Sequence, residues 1–234
     1  MRSWFIWNGI NSINRGIILE TSPEIVRAQE RVTQITVPGR SGDLILLEGE
    51  DVYEPYALNL SFTVRGARNA AEAWHWLKGS GTLTLSCTPD LVQDARLINA
   101  VNLVRVSRNL DMWSGDLSFW CQPLKRLSTE KLETVTTGDT LVNQGDVTAR
   151  PVIELTGTGT LIAGIDGVYM AVNDVTSAQG GAVIDCDAEE IRALLTGELI
   201  TKQASGDFPL LPFGRHELIF QATSCRIKRG VRYL

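Results

Sequence analysis

The sequence predicts a mainly β protein in two domains, an N-terminal β domain with one α-helix and a C-terminal domain built of strands alone. Three observations carry this. Short runs rich in Val, Ile, Leu, Thr and aromatic residues alternate with Gly, Asn, Asp and Ser, the texture of strands joined by tight turns. One stretch, 69–78, combines a helical apolar stripe with start and stop signals. A Thr- and charge-rich segment, STEKLETVTTGDT, follows Pro123-Leu124-Lys125-Arg126 and precedes a new strand run opening at Pro151. That shift puts a boundary near 127–130 and divides the chain into domains 1–128 and 129–234. The length of 234 residues suits one large or two modest domains. With 44% hydrophobic and 21% charged residues the chain has the composition of an ordinary core-forming protein.

In the first domain the strand candidates are 30–37, 56–65, 82–87, 97–107 and 114–122. Between the first two lies ITVPGRSGDL, residues 35–44. It is not a phosphate-binding P-loop, because the GxxxxGK[ST] spacing is missing and no helix pattern follows. It reads as a turn: Pro38 fixes φ at one corner, and Gly39 and Gly42 accept positive φ. Arg40 and Asp43 are then displayed on a rigid exposed tip. The helix opens with Asn69 as cap and Glu72 three residues on, and Gly79 closes it. Ala70, Ala73, Trp74 and Leu77 fall on one face with His75 opposite. Trp74 and Trp76 read as anchors packing the helix onto a sheet.

In the second domain the candidates are 151–156, 160–165, 168–173, 182–186, 216–223 and 225–233, an all-β pattern of about 100 residues that suggests a sandwich. Asp166-Gly167 between two alternating runs is a type I′ hairpin signal. Residues 187–197 carry a fair helix pattern with Asp187, Glu190 and Gly197, while their strand-like neighbours favour a hairpin turning near Ala188-Glu189. In the last strand Arg226, Lys228 and Arg232 share one face, and Ile227, Val231 and Tyr233 take the other.

Chemistry is sparse. A net charge of −5 argues against a dedicated nucleic-acid binder. No run reaches the roughly 20 apolar residues of a membrane helix. Asn8, Gly9 and Asn11 interrupt the N-terminal apolar stretch before signal-peptide length, so a cytoplasmic origin is expected. Cys87, Cys121, Cys186 and Cys225 form no CxxC pair, and only His75 and His216 accompany them; reduced thiols in strands or cores are expected rather than a zinc site. No GxSxG elbow is present. The carboxylates of Glu48, Glu50 and Asp51, and of Asp185, Asp187 and Glu190, read as solvated turn ends. Asp185 and Asp187, sharing a strand face, are also spaced for a glycosidase-like pair or a cation. No catalytic, cofactor or metal-ligating residue is assigned.

Three segments in order carry a resemblance. Phe5-Ile6-Trp7-Asn8-Gly9-Ile10-Asn11-Ser12, followed by Gly16-Ile17, is an aromatic strand, an Asn-Gly turn, a serine and a Gly-hydrophobic step. Val37-Pro38-Gly39-Arg40-Ser41-Gly42-Asp43-Leu44 follows a strand containing Glu30, and Gly206-Asp207-Phe208-Pro209-Leu210-Leu211-Pro212 lies near the C-terminus. Together they resemble the distal tail proteins of long, flexible-tailed bacteriophages, and Phe119-Trp120-Cys121-Gln122-Pro123 falls where that family closes its first domain. Two departures occur near the C-terminus: Phe213 is an extra residue before Gly214, and Arg215-His216 stands where an Asn is common. The chain also lacks room for the carbohydrate-binding modules inserted in longer relatives.

The resemblance implies a structural protein and no enzyme. Its N-terminal domain would be β-barrel-like with one helix, assembling into a hexameric ring, and its C-terminal domain a galectin-like β-sandwich, with strands at 187–197. The implied partners are further copies of the chain, the tail tube protein, the tape-measure protein, the tail-associated central fibre or lysin protein, and receptor-binding proteins. DNA would pass through the ring without specific binding. The implied location is the tail tip of the virion, assembled in the bacterial host's cytoplasm. The candidate interface comprises Arg40, Ser41 and Asp43 of the loop with Trp7 and Asn8 of the opening strand. The rival reading is a lectin-like module using Tyr169, Phe208, Phe213, Phe220 and Tyr233.

Overall fold

The computed structural model describes residues 3–234, and the chain divides into two compact units, one ending at Ser128 and the other spanning Thr129–Tyr233. The first unit contains β1 (Phe5–Trp7), β2 (Ile10–Asn11), β3 (Ile17–Leu19), β4 (Val32–Ile35), β5 (Leu44–Leu47), β6 (Tyr56–Arg65), α1 (Ala67–Trp76), β7 (Ser80–Leu85), β8 (Thr88–Leu97), β9 (Val104–Ser107) and β10 (Met112–Leu127). A curled sheet runs in the order β2-β1-β7-β8-β10-β6-β3, with β9 also on β10, while β4 and β5 pair only with each other. The sheet encloses one core of Phe5, Trp7, Leu60, Phe62, Leu83, Leu117 and Phe119, onto which α1 packs Ala70, Ala73 and Leu77.

The aromatic centre of that core explains the opening motif. The Trp7 and Phe119 rings lie 5.1 Å apart, and Phe5 stacks on Trp76 with centroids 5.8 Å apart. Trp76 is thus the helix's anchor. Trp74, expected on the same face as Ala70 and Leu77, points outward and is 57% exposed.

The start of the helix also departs from the sequence reading. It begins at Ala67, not Asn69, and its cap comes from outside the helix: an Asp111 carboxylate oxygen accepts the Ala67 N–H at 2.9 Å. Asn69 instead donates to the Arg65 carbonyl. The expected strand 97–107 is two elements, the end of β8 and all of β9. β8 itself gave little signal because Pro89, Asp90 and Asp94 are poor strand formers and its inward Gln93 is polar. That amide is satisfied inside, accepting from the Tyr56 hydroxyl at 2.7 Å and donating to the Cys121 sulfur.

The second unit is a β-sandwich of β11 (Glu133–Val135), β12 (Thr140–Asn143), β13 (Val152–Thr156), β14 (Gly159–Ile165), β15 (Val168–Val175), β16 (Gly181–Asp185), β17 (Glu190–Ala193), β18 (Ala204–Gly206), β19 (Gly214–Gln221) and β20 (Ser224–Lys228). Its sheets run β11-β20-β13-β16-β17 and β12-β19-β14-β15-β18. Ile153, Leu155, Ile184, Ile191 and Ile227 of the first meet Leu161, Ile165, Met170, Val172 and Leu218 of the second in a single core. Asp166 and Gly167 both have positive φ, 49° and 88°, as the type I′ signal predicts. Residues 185–193 form a hairpin, not a helix: Asp185 accepts the N–H groups of Asp187 and Ala188, and alternation buries Ile191 and Ala193. The expected strand 225–233 is interrupted: β20 ends at Lys228, Gly230 lies beyond it at φ 69°, and Arg232–Tyr233 are strand again.

Candidate assembly interface

The β4–β5 hairpin of the first unit exposes all eight of its strand residues. Register explains why it has no inner side. Val32 pairs with Leu47 and Gln34 with Ile45; Thr33 pairs with Leu46 and Ile35 with Leu44. Directly paired residues share a face and successive residues alternate. One face therefore carries Val32, Ile45 and Leu47, and the other Ile35, Leu44 and Leu46. Their exposure runs from 36% at Leu44 to 64% at Leu47. A two-stranded hairpin on its own is only marginally stable in water, so this arm has the composition of an element meant to be covered.

The loop 38–43 is the tip of that arm. Gly39 and Gly42 take φ of 80° and 77°, and no atom lies within 4 Å of where a Cβ would sit on either. Glycine is needed there for backbone conformation, not for space. Asp43 accepts a hydrogen bond from the Thr36 hydroxyl at 2.9 Å, and the Arg40 N–H donates to the Val37 carbonyl at 3.2 Å. These bonds set the shape of the tip and leave Arg40 and Ser41 exposed at its end. At the base, Glu48 accepts from Thr33 and Glu54 from Arg31, each bond joining the two sides of the hairpin.

Of the sequence-predicted interface residues, Arg40, Ser41 and Asp43 come together on this tip. Trp7 does not join them. It is fully buried among the core aromatics and offers no surface to a partner; its aromatic character serves the core, which sequence alone does not distinguish from an interface anchor. Asn8 is an exposed turn residue at φ 50° whose side-chain oxygen accepts the Thr82 N–H, tying the β1–β2 turn to β7. What the sequence reading missed is the apolar arm behind the tip. The signal was the run Leu44-Ile45-Leu46-Leu47, which lacks the polar–apolar alternation of a half-buried strand.

A second surface lies beside α1. Trp74, Leu77 and Lys78 at the end of the helix, with Ala100 and Val101 of the β8–β9 connection, line an open groove of about 320 Å³. The sandwich has a concavity of its own on the outer face of the sheet containing β14, about 630 Å³, floored by Ile162, Ala171 and Ile219. Tyr169 lies there over Gly164, its ring occupying the place of a side chain at that position.

The paired carboxylates act locally. Asp185 closes the β16–β17 turn, and Asp187 approaches Arg232 at 3.9 Å. Asp166 accepts from the Glu217 N–H and sits 2.5 Å from His216 Nδ1, whose Nε2 faces the Pro212 carbonyl. The His216 contact, and after it the backbone N–H, hold the Asp166 carboxyl below its ordinary range. Cys121, Cys186 and Cys225 are free thiols pushed up to about 12 by burial, which makes them poor nucleophiles.

No family model matches the sequence, and no curated protein matches it. Among solved structures the chain is similar to the Dit protein of SPP1, described as a paradigm of the hub adsorption apparatus in phages that infect Gram-positive bacteria. The TM-score is 0.73 at 18% identity, over 96% of this chain and 97% of that one. Identity that low carries the fold and nothing finer. Over nearly its whole length, this chain has the fold of a phage distal tail protein.

Proposed function

We propose that the chain is a structural hub protein of a phage tail tip, closing with copies of itself into a six-fold ring. The observation that carries this is the β4–β5 arm, with apolar side chains exposed on both faces. The end-to-end likeness in fold to a hub protein and the ordered family motifs support the same reading. In this reading the first unit builds the ring and the second is a galectin-like sandwich projecting from it. The ring joins the tail tube and tape-measure protein to the central fibre or lysin protein and to receptor-binding proteins, in a virion assembled in the host cytoplasm. A chain of net charge −5 around a DNA conduit repels phosphate instead of retaining it. Catalysis has no part in this role.

Native mass spectrometry with negative-stain imaging of the purified chain tests the proposal. The expected result is a six-copy species that appears as an annulus. A strictly monomeric chain at high concentration would overturn it.

A further inference from the structure

Among the apolar surfaces that the first unit leaves open are the β4–β5 arm and the groove beside α1. They are different surfaces, so joining one to the other between copies makes a heterologous contact. A contact of that kind repeats around an axis and closes when the rotation allows. We propose that the arm of one copy seats in the groove of the next, and that this contact holds together the ring proposed above, on which it rests.

Charge supports the pairing. The arm and its base, 31–54, carry Asp43, Glu48, Glu50, Asp51 and Glu54 against Arg31 and Arg40. The helix stretch, 65–78, carries Arg65, Arg68 and Lys78 against Glu72, and Lys78 lines the groove itself. The arm's acidic surplus is attracted to Lys78 in the groove, while arm against arm sets like charges side by side. Side-chain type adds to this. Trp74 is held outward because Trp76 takes the core position. An exposed tryptophan at the rim of an apolar groove is the residue type that most often dominates an interface. The arm brings Leu44 and Leu46 on one face and Ile45 and Leu47 on the other, so whichever face enters the groove is apolar. Among the described residues, both outer edges of the two-stranded arm also lack a neighbouring strand, which is the exposed-edge condition that association relieves.

Cysteine cross-linking between copies tests the contact. In a full-length Cys87→Ser background, which removes the half-buried thiol, Ala100→Cys is placed in the groove. Either Ile45→Cys or Leu46→Cys is placed on the arm, one for each face. When chains carrying a groove cysteine are mixed with chains carrying an arm cysteine and oxidised, disulfide-linked pairs of the two are expected with one of the arm positions. A chain carrying both substitutions is expected to give a ladder up to the closed ring on denaturing gels. Trp74→Ala should raise the concentration needed for half-assembly by at least about tenfold. If native mass spectrometry shows the ring but neither arm position cross-links to Ala100→Cys, the arm–groove contact is wrong and the ring stands. Unchanged assembly of Trp74→Ala would overturn the contact in the same way. If the chain stays monomeric, both the ring and the contact are lost.

Discussion

Two hairpins of this chain, both rich in apolar residues, meet opposite fates. In β14–β15 one face, with Leu161, Ala163, Ile165, Met170 and Val172, is buried in the sandwich core, while the other, with Ile162, Tyr169 and Ala171, lines the open concavity. In β4–β5 apolar residues occupy both faces, and none is buried. The turns differ in the same sense. Asp166 at the tip of β14–β15 is tied to the neighbouring strand β19 through the Glu217 N–H and His216. The bonds at the tip of the arm, Thr36 to Asp43 and Arg40 to Val37, run within the arm. One face buried in a core anchors β14–β15 within its own chain; the arm has no such face and awaits a second chain.

The largest expected effect breaks the comparison open at its core. Leu161→Ala removes a side chain 2% exposed, and a buried leucine truncated to alanine typically costs about 2–5 kcal/mol. Leu46→Ala removes the same atoms from a residue 45% exposed, where substitutions usually change stability by less than about 0.5 kcal/mol. Urea denaturation of the dilute, unassembled chain measures both. A clear drop for Leu161→Ala with none for Leu46→Ala is expected. Equal losses would mean that the arm is already packed within its own chain.

The contrast also bounds what the sequence could tell. Elements whose pattern is local were legible: β6 lies at 56–65 as the alternation predicts, and the Asp166-Gly167 turn needs only two residues with positive φ. Elements fixed by distant partners were not. The helix cap is Asp111, 44 positions from the amide it receives, so the nearest capping residue, Asn69, drew the expected start too far along the chain. β8 hides its inward face behind Gln93, polar until Tyr56 and Cys121 are placed against it. For the interface, the loop 38–43 was recognisable as a rigid exposed tip. Trp7 and an anchoring tryptophan of an interface, however, look alike until the fold shows which indole is buried. Trp74 and Trp76, two residues apart, could not be told apart for the same reason.

A smaller effect should appear at the turn of the covered hairpin, and it depends on pH. Asp166 has its carboxyl held below the ordinary value, first by His216 and then by the Glu217 N–H. A folded-state value depressed in this way contributes stability above the unfolded value, near pH ~4. The contribution is lost as pH falls through the depressed folded value. Asp166→Asn should therefore be less stable than the parent chain at neutral pH, and the two should converge as the pH falls through the depressed folded value. Denaturation midpoints at about pH 7, 4 and 2.5 measure this. A difference that stays constant across the three would assign the loss to geometry instead of charge.

The smallest effect on the single chain, and the sharpest on the comparison, belongs to the arm's tip. Arg40 is exposed in a loop whose shape is set by Gly39, Gly42 and the Thr36–Asp43 bond, so Arg40→Glu leaves every one of those determinants in place. The denaturation midpoint of the unassembled chain should not move. The substitution makes the acidic arm more acidic and reverses the charge at its end. In the arm–groove contact the added negative charge on the arm is attracted to Lys78 of the groove, so the fraction of chain in the assembled form at a fixed concentration should rise. A tip that meets an acidic surface of the next copy instead would make that fraction fall. Either change should be larger at low salt, where exposed charges are screened least. Sedimentation at two salt concentrations separates these cases. Unchanged assembly at both would leave VPGRSGDL as a well-made turn at the end of an arm whose apolar strands alone do the joining.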